Sequence, residues 1–75
     1  MTLDDIIKVI ENTKVVPNFS EFNPDAPLAD NGVDSLDTYT IILALEEEFA
    51  VGLDDVEIEE IDSAVKIYNY IKSHS

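Results

Sequence analysis

Between Pro17 and Val33 the chain loses all hydrophobic periodicity, and no other feature limits the fold so strongly. The stretch holds Pro17, Pro24 and Pro27, three asparagines and Gly32, each of which disfavours regular structure for its own reason. A structureless connection of this length is uncommon in a small domain. It must therefore be pinned to the rest of the molecule, and Phe19, Phe22, Leu28 and Val33 are the apolar residues available to plug it onto the core. With 75 residues, 45% of them apolar, that core will be thin. A chain of this size buries only roughly 60% of its unfolded surface, which leaves no room for a catalytic domain with a large cleft.

Helical spacing surrounds the loop. Thr2-Leu3-Asp4-Asp5 has the order of a helix N-terminus, and Leu3, Ile6, Ile7 and Ile10 follow on one stripe. This predicts a first helix from about Leu3 to Val15, ended by Pro17. Asp34-Ser35-Leu36-Asp37 opens a second, with Asp34 as N-cap and Asp37 as the reciprocal acid. Its apolar arc, Leu36, Tyr39, Ile42 and Leu43 beside Ile41, Leu45 and Phe49, is wide enough to predict contact with several neighbours, and Gly52 is expected to stop the helix after Phe49. Leu53 to Ile61 is short and acidic and reads as one or two helical turns. A last helix begins at Asp62-Ser63, puts Ala64, Ile67, Tyr68 and Ile71 on one face with Val65 beside them, and frays from Lys72. Nothing reads as a strand. The expectation is a single all-α domain over residues 1–75, a bundle of three longer helices and one short one.

Charge narrows the function. Seventeen acidic residues face four lysines, for a net charge of −13. Nucleic-acid binding and docking on an anionic membrane both need the opposite sign. No basic residue lies between Lys14 and Lys66, whereas Asp34 to Asp62 holds 11 of the 17 acids. Such a run is a solvated face, a docking surface for basic partners, or both at once. The absence of cysteine removes disulfides, thiolate metal sites and a cysteine nucleophile. With no spanning apolar run and no signal-peptide pattern, the expected location is the cytoplasm and the expected state a monomer. EF-hand spacing fails around both Gly32 and Gly52, so no dedicated metal site is expected. The one histidine, His74, sits in the tail without a visible orienting carboxylate, which is poor support for a general base.

Ser35 is the residue with chemical promise. It places a hydroxyl in the first helical turn beyond the long loop, where unpaired N–H groups and the positive end of the helix dipole gather. A phosphate ester there would meet a favourable field, although the nearby carboxylates suit an enzyme that brings its own cations. Taken alone, Asp-Ser-Leu is explained equally by routine capping.

The wider context favours a family. Gly32-Val33-Asp34-Ser35-Leu36-Asp37-Thr38, followed by Ala44-Leu45-Glu46-Glu47-Glu48-Phe49, closely resembles the acyl carrier proteins. The resemblance implies a four-helix domain, not itself an enzyme, with Ser35 as the attachment point of a 4′-phosphopantetheine arm. The arm's thiol would hold acyl groups as thioesters for enzymes of fatty acid or related biosynthesis. It implies further that Asp34, Leu36 and Asp37 are read by a phosphopantetheinyl transferase, and Glu46 and Glu47 by the basic faces of acyl-processing enzymes. A weakly packed bundle admits an acyl tail at small cost, and Leu45, Phe49, Leu53, Ile58, Ile61 and Tyr68 are the expected residues around such a cavity; each serves equally as plain core. Asn31 stands where the family has an apolar residue, Thr40 replaces a common acid, and Ala50-Val51-Gly52 is less polar than the usual turn. These departures leave room for a specialised carrier of polyketide, modified-lipid or aminoacyl groups. Two rivals come from other classes: an acidic interaction module with no prosthetic group, and a calcium buffer.

Overall fold

A computed structural model describes residues 1–74. Three α-helices, α1 (Leu3–Thr13), α2 (Ser35–Phe49) and α3 (Ala64–His74), are joined by segments that contain short 3₁₀ turns at Phe19–Glu21, Leu28–Asn31 and Ile58–Glu60. No strand occurs among the described residues.

The start of α1 is closed in both directions. The Thr2 hydroxyl accepts from the Asp5 N–H at 3.3 Å, and the Asp5 carboxylate accepts from the Thr2 N–H at 2.8 Å. The helix ends at Thr13, not at Val15. Lys14 turns into the left-handed region (φ 61°) and sends its N–H back to the Glu11 carbonyl, three residues before Pro17. A similar event ends α2, where Ala50 (φ 53°) and not Gly52 makes the left-handed turn.

Packing is centred on α1, which meets both other helices, while α2 and α3 make little direct contact with each other. Ile6 and Ile10 of α1, Ile41 and Leu45 of α2, and Ile67 and Ile71 of α3 form the shared core. Each such side chain stabilises the fold by about 1.5–3 kcal/mol through the apolar surface it removes from water. The broad apolar arc of α2 is only partly covered. Ile41, Ile42 and Leu45 are buried, but Leu36, Tyr39 and Leu43 are exposed, because no helix lies over that side.

The long loop is fastened at many points. Leu28 and Val33 are buried, and Phe19 and Phe22 stack in parallel, centroids 5.3 Å apart, against the edge of the core. The Leu28 N–H donates to the Asp62 carbonyl at 2.7 Å and the Val65 N–H to the Pro24 carbonyl at 3.1 Å, tying the loop to the start of α3. Asn31 fastens the loop to itself. Its amide oxygen accepts from the Asn23 N–H at 2.8 Å, and its NH₂ group donates to the carbonyls of Asn23 and Pro27 at 3.0 and 3.2 Å. Gly32 follows at φ 84°, and a Cβ there would lie 3.0 Å from the Pro17 ring, so glycine lets the two ends of the loop approach.

From Leu53 to Ile61 the expected one or two helical turns reduce to the single 3₁₀ turn Ile58–Glu60. Crowded carboxylates (Asp54, Asp55, Glu57, Glu59, Glu60) repel one another along a chain this short. One cation answers them: the Lys66 ammonium donates to the Glu59 carbonyl at 2.9 Å and lies 3.1 Å from the Asp62 carboxylate. That Asp62 oxygen is closed off from solvent; Lys66 is its charge partner, off the line of a hydrogen bond. Helix α3 continues through Lys72 to His74, where fraying was expected, and the imidazole stacks on Tyr70 at 4.0 Å; Ser75, the last residue of that expectation, lies outside the described residues.

Candidate functional site

Helix α2 begins differently from α1. The Asp34 carboxylate accepts from the Asp37 N–H at 2.8 Å, but no return bond runs from the Asp34 N–H to the Asp37 side chain, so the expected reciprocal cap is absent. Ser35 is the first residue of the helix, and it is exposed. Its hydroxyl is free. Every other serine or threonine hydroxyl among the described residues is engaged: Ser20 on Asn18, Ser63 by the Lys66 N–H, Ser73 on the Asn69 carbonyl, Thr2 in its cap. Thr13, Thr38 and Thr40 bond back to the carbonyls of Ile10, Asp34 and Leu36. Among the described residues Ser35 alone has no partner. The N–H groups of Ser35 and Leu36 beside it also lack acceptors among the described residues, which leaves the positive end of the helix facing outward.

Beside this hydroxyl opens a partly enclosed cavity of about 480 Å³. Three segments wall it: Pro27, Leu28, Ala29 and Val33 from the loop, one face of α2, and Leu53 to Asp62. The α2 face presents Ser35, Thr38, Tyr39, Ile42, Leu43 and Glu46, positions that share a side of a helix by the 3.6-residue repeat. This is the side that α3 does not cover. The volume falls in the ordinary range of small-molecule sites.

Of the cavity residues expected from the sequence, Leu53, Ile58 and Ile61 lie in its wall. Leu45, Phe49 and Tyr68 do not. Leu45 is buried in the helical core, and Phe49 and Tyr68 pack half-buried against that core elsewhere. Val33, Thr38, Tyr39, Ile42 and Val56 line the cavity without having been anticipated. The signal that would have found the α2 members is their i+3, i+4 and i+7 spacing from Ser35. Asp34, Leu36 and Asp37 flank the hydroxyl, and Leu36 is 77% exposed, one of three uncovered large apolar residues of α2 with Tyr39 and Leu43. Glu47 is exposed, but Glu46 is half-buried and its carboxylate accepts from the Leu53 N–H at 2.8 Å. No group of three or more histidine, cysteine or acidic side chains among the described residues is arranged to hold a metal ion. No described helix is long and apolar enough to cross a membrane.

An exposed serine hydroxyl with no partner among the described residues thus stands at a helix start beside an apolar cavity in an acidic molecule. Comparison with known proteins makes this specific. The family model for the phosphopantetheine attachment site matches residues 8–71. The acyl carrier protein of Clostridium acetobutylicum is 48% identical over 46 residues, a stretch covering 61% of this chain and 60% of that protein. The chain belongs to the phosphopantetheine attachment site family, whose prosthetic group is a covalently attached 4′-phosphopantetheine. The members of this family are carriers.

The residues present suit that group. An arm attached through a phosphodiester needs an accessible hydroxyl, donors for the ester oxygens and room for its cargo. Ser35, the free N–H groups of the first α2 turn and the neighbouring cavity answer these needs in turn.

Proposed function

We propose that Ser35 carries the 4′-phosphopantetheine arm and that the chain, as one carrier domain over residues 1–75, presents acyl groups to enzymes of fatty acid or related biosynthesis. The observation that carries this reading is the free Ser35 hydroxyl on the rim of an apolar cavity. When attached, the arm supplies a thiol that holds an acyl group as a thioester. Everything else falls to the chain's own residues. The carboxylate of Asp34 caps α2 and keeps Ser35 in the first turn, while the exposed Leu36 and the free carboxylate of Asp37 offer a transferase an apolar and an anionic contact on either side of the hydroxyl. Leu28, Val33, Ile42, Leu53, Val56 and Ile61 exclude water from the space a cargo would enter. We read the Ile58–Glu60 turn as the counterpart of the family's short fourth helix. Glu46 and Glu47 meet basic faces of acyl-processing enzymes, with charge raising encounter rates more than affinity. The chain itself catalyses nothing in this reading; a net charge of −13 opposes self-association and keeps it a monomer, and its place is the cytoplasm.

A specialised cargo is the second reading. Exposed Thr40 leaves the middle of α2 without an acid common in the family, which changes the set of basic partners this helix can attract.

Incubation with coenzyme A and a broad-specificity phosphopantetheinyl transferase tests the carrier reading. Intact mass is expected to rise by one phosphopantetheinyl group, and Ser35→Ala to abolish the gain while leaving the helical circular dichroism intact. No gain with several transferases would overturn it and favour an acidic binding module.

A further inference from the structure

Glu46 stands out among the acidic residues because its carboxylate is already in use. It is the one hydrogen bond between α2 and residues 52–62 among the described residues, and it joins two walls of the cavity. Leu53, whose N–H it holds at 2.8 Å, is buried and lines that cavity. A charge-assisted bond of this kind is stronger than a neutral one, but it depends on the negative charge of its acceptor. The second carboxylate oxygen has no partner, and the neighbouring Glu47 and Glu48 are exposed, so cations are drawn to this end of the helix. Glu46 also lies eleven residues, three turns, beyond Ser35 on the same face, about 16 Å along the axis. A protein seated on that face to reach Ser35 thus meets Glu46 as well.

We propose that Glu46 is a charge-operated latch: in the free protein it fastens the Leu53 wall to α2, and a partner's cation that pairs with it weakens this bond and loosens the cavity wall. Docking and access to the cavity are thereby coupled through one carboxylate. The latch rests on the carrier reading, and Glu46 acts in it as a positioning residue through Leu53. In this arrangement Glu47 attracts the partner without holding anything inside the molecule.

Amide hydrogen exchange by NMR on the full chain tests the latch, with tetralysine amide as the cationic probe. In the free protein Glu46→Ala should speed exchange at Leu53 by about tenfold, leaving Ile10 and Ile67 protected as a check on folding. Glu46→Gln keeps an acceptor but removes the charge, so its Leu53 exchange should fall between the wild type and Glu46→Ala. Saturating peptide should speed Leu53 exchange in the wild type and leave Glu46→Gln unmoved, with uptake of the neutral dye Nile red rising in parallel. Leu53 exchange that stays at its free value while the Glu47 and Glu48 resonances shift overturns the proposal. So does a peptide that shifts neither, since the latch requires cations to reach this face. Transferase labelling of the same samples separates the two ideas: an arm on Ser35 with an unresponsive Leu53 keeps the carrier and removes the latch, whereas a chain that takes no arm removes the carrier.

Discussion

The starts of α1 and α2 use the same capping chemistry to opposite ends. At α1 the threonine hydroxyl and the aspartate carboxylate each accept from the other's backbone N–H, and no side-chain hydroxyl is left over, although among the described residues the N–H groups of Leu3 and Asp4 are as unpaired as those of Ser35 and Leu36. At α2 the aspartate caps in one direction only, and a serine hydroxyl with two unpaired N–H groups stands open beside a cavity. The first arrangement spends its polar groups on stability. The second withholds some of them, and those withheld are the ones a modifying enzyme can use. Function in so small a molecule lies in what the fold leaves unsatisfied.

Capping substitutions should break the comparison most sharply. Thr2→Ala and Asp34→Ala should each lower stability by about 1 kcal/mol in urea denaturation. Only Asp34→Ala should also slow transferase labelling of the folded protein; equal labelling rates would mean that the two helix starts do not differ in role. Asn31→Ala should cost a similar amount, about 1 kcal/mol. Its effect should appear as faster amide exchange at Asn23 with no change at Asp5, because Asn31 acts on the loop and not on either cap.

The molecule's legibility follows the same division. Helix starts were readable because capping residues and apolar stripes are local signals, as at Thr2 and Asp34. The end of α2 at Phe49 was readable too, but not the end of α1 nor the residues that make either turn, because Lys14 and Ala50 adopt left-handed conformations that usually call for glycine, at roughly 1–2 kcal/mol. The anchors of the loop were legible as apolar residues. Asn31 was noticed as a departure from the family but not as a fastening, since its amide bonds reach eight residues back and carry no sequence pattern. Helical spacing identified the apolar residues of α2 but not which neighbour each one faces. Leu45 and Phe49 were therefore assigned to a cavity that Ile42 and Leu43 line. The bond from Glu46 to Leu53 joins two segments whose approach only the tertiary structure decides.

Smaller effects sharpen the contrast further. Most of the charge lies beyond α1, so adding salt or magnesium should raise the melting temperature by screening the acids of residues 34–62. A melting temperature that ignored ionic strength would contradict this view of the acidic face. The least effect concerns Asp5. The Thr2 N–H bond to its carboxylate holds its pKa below the usual value, with the Thr2 hydroxyl and nearby positive charge helping and desolvation opposing. A depressed folded-state pKa stabilises above the unfolded value, about 3.9, and the contribution fades as pH falls through the folded value. Asp5→Asn should flatten the acid limb of the stability curve between about pH 4 and the folded value, measured by urea denaturation at successive pH. An unchanged slope would show that the α1 cap is not closed in solution.

Fragment-ion mapping of the transferase-treated chain asks the main question most directly, because Ser20, Ser63 and Ser73 offer competing hydroxyls on the same molecule. The account predicts that the added mass resides wholly on Ser35. Mass found on any other serine, or spread among several, would contradict it.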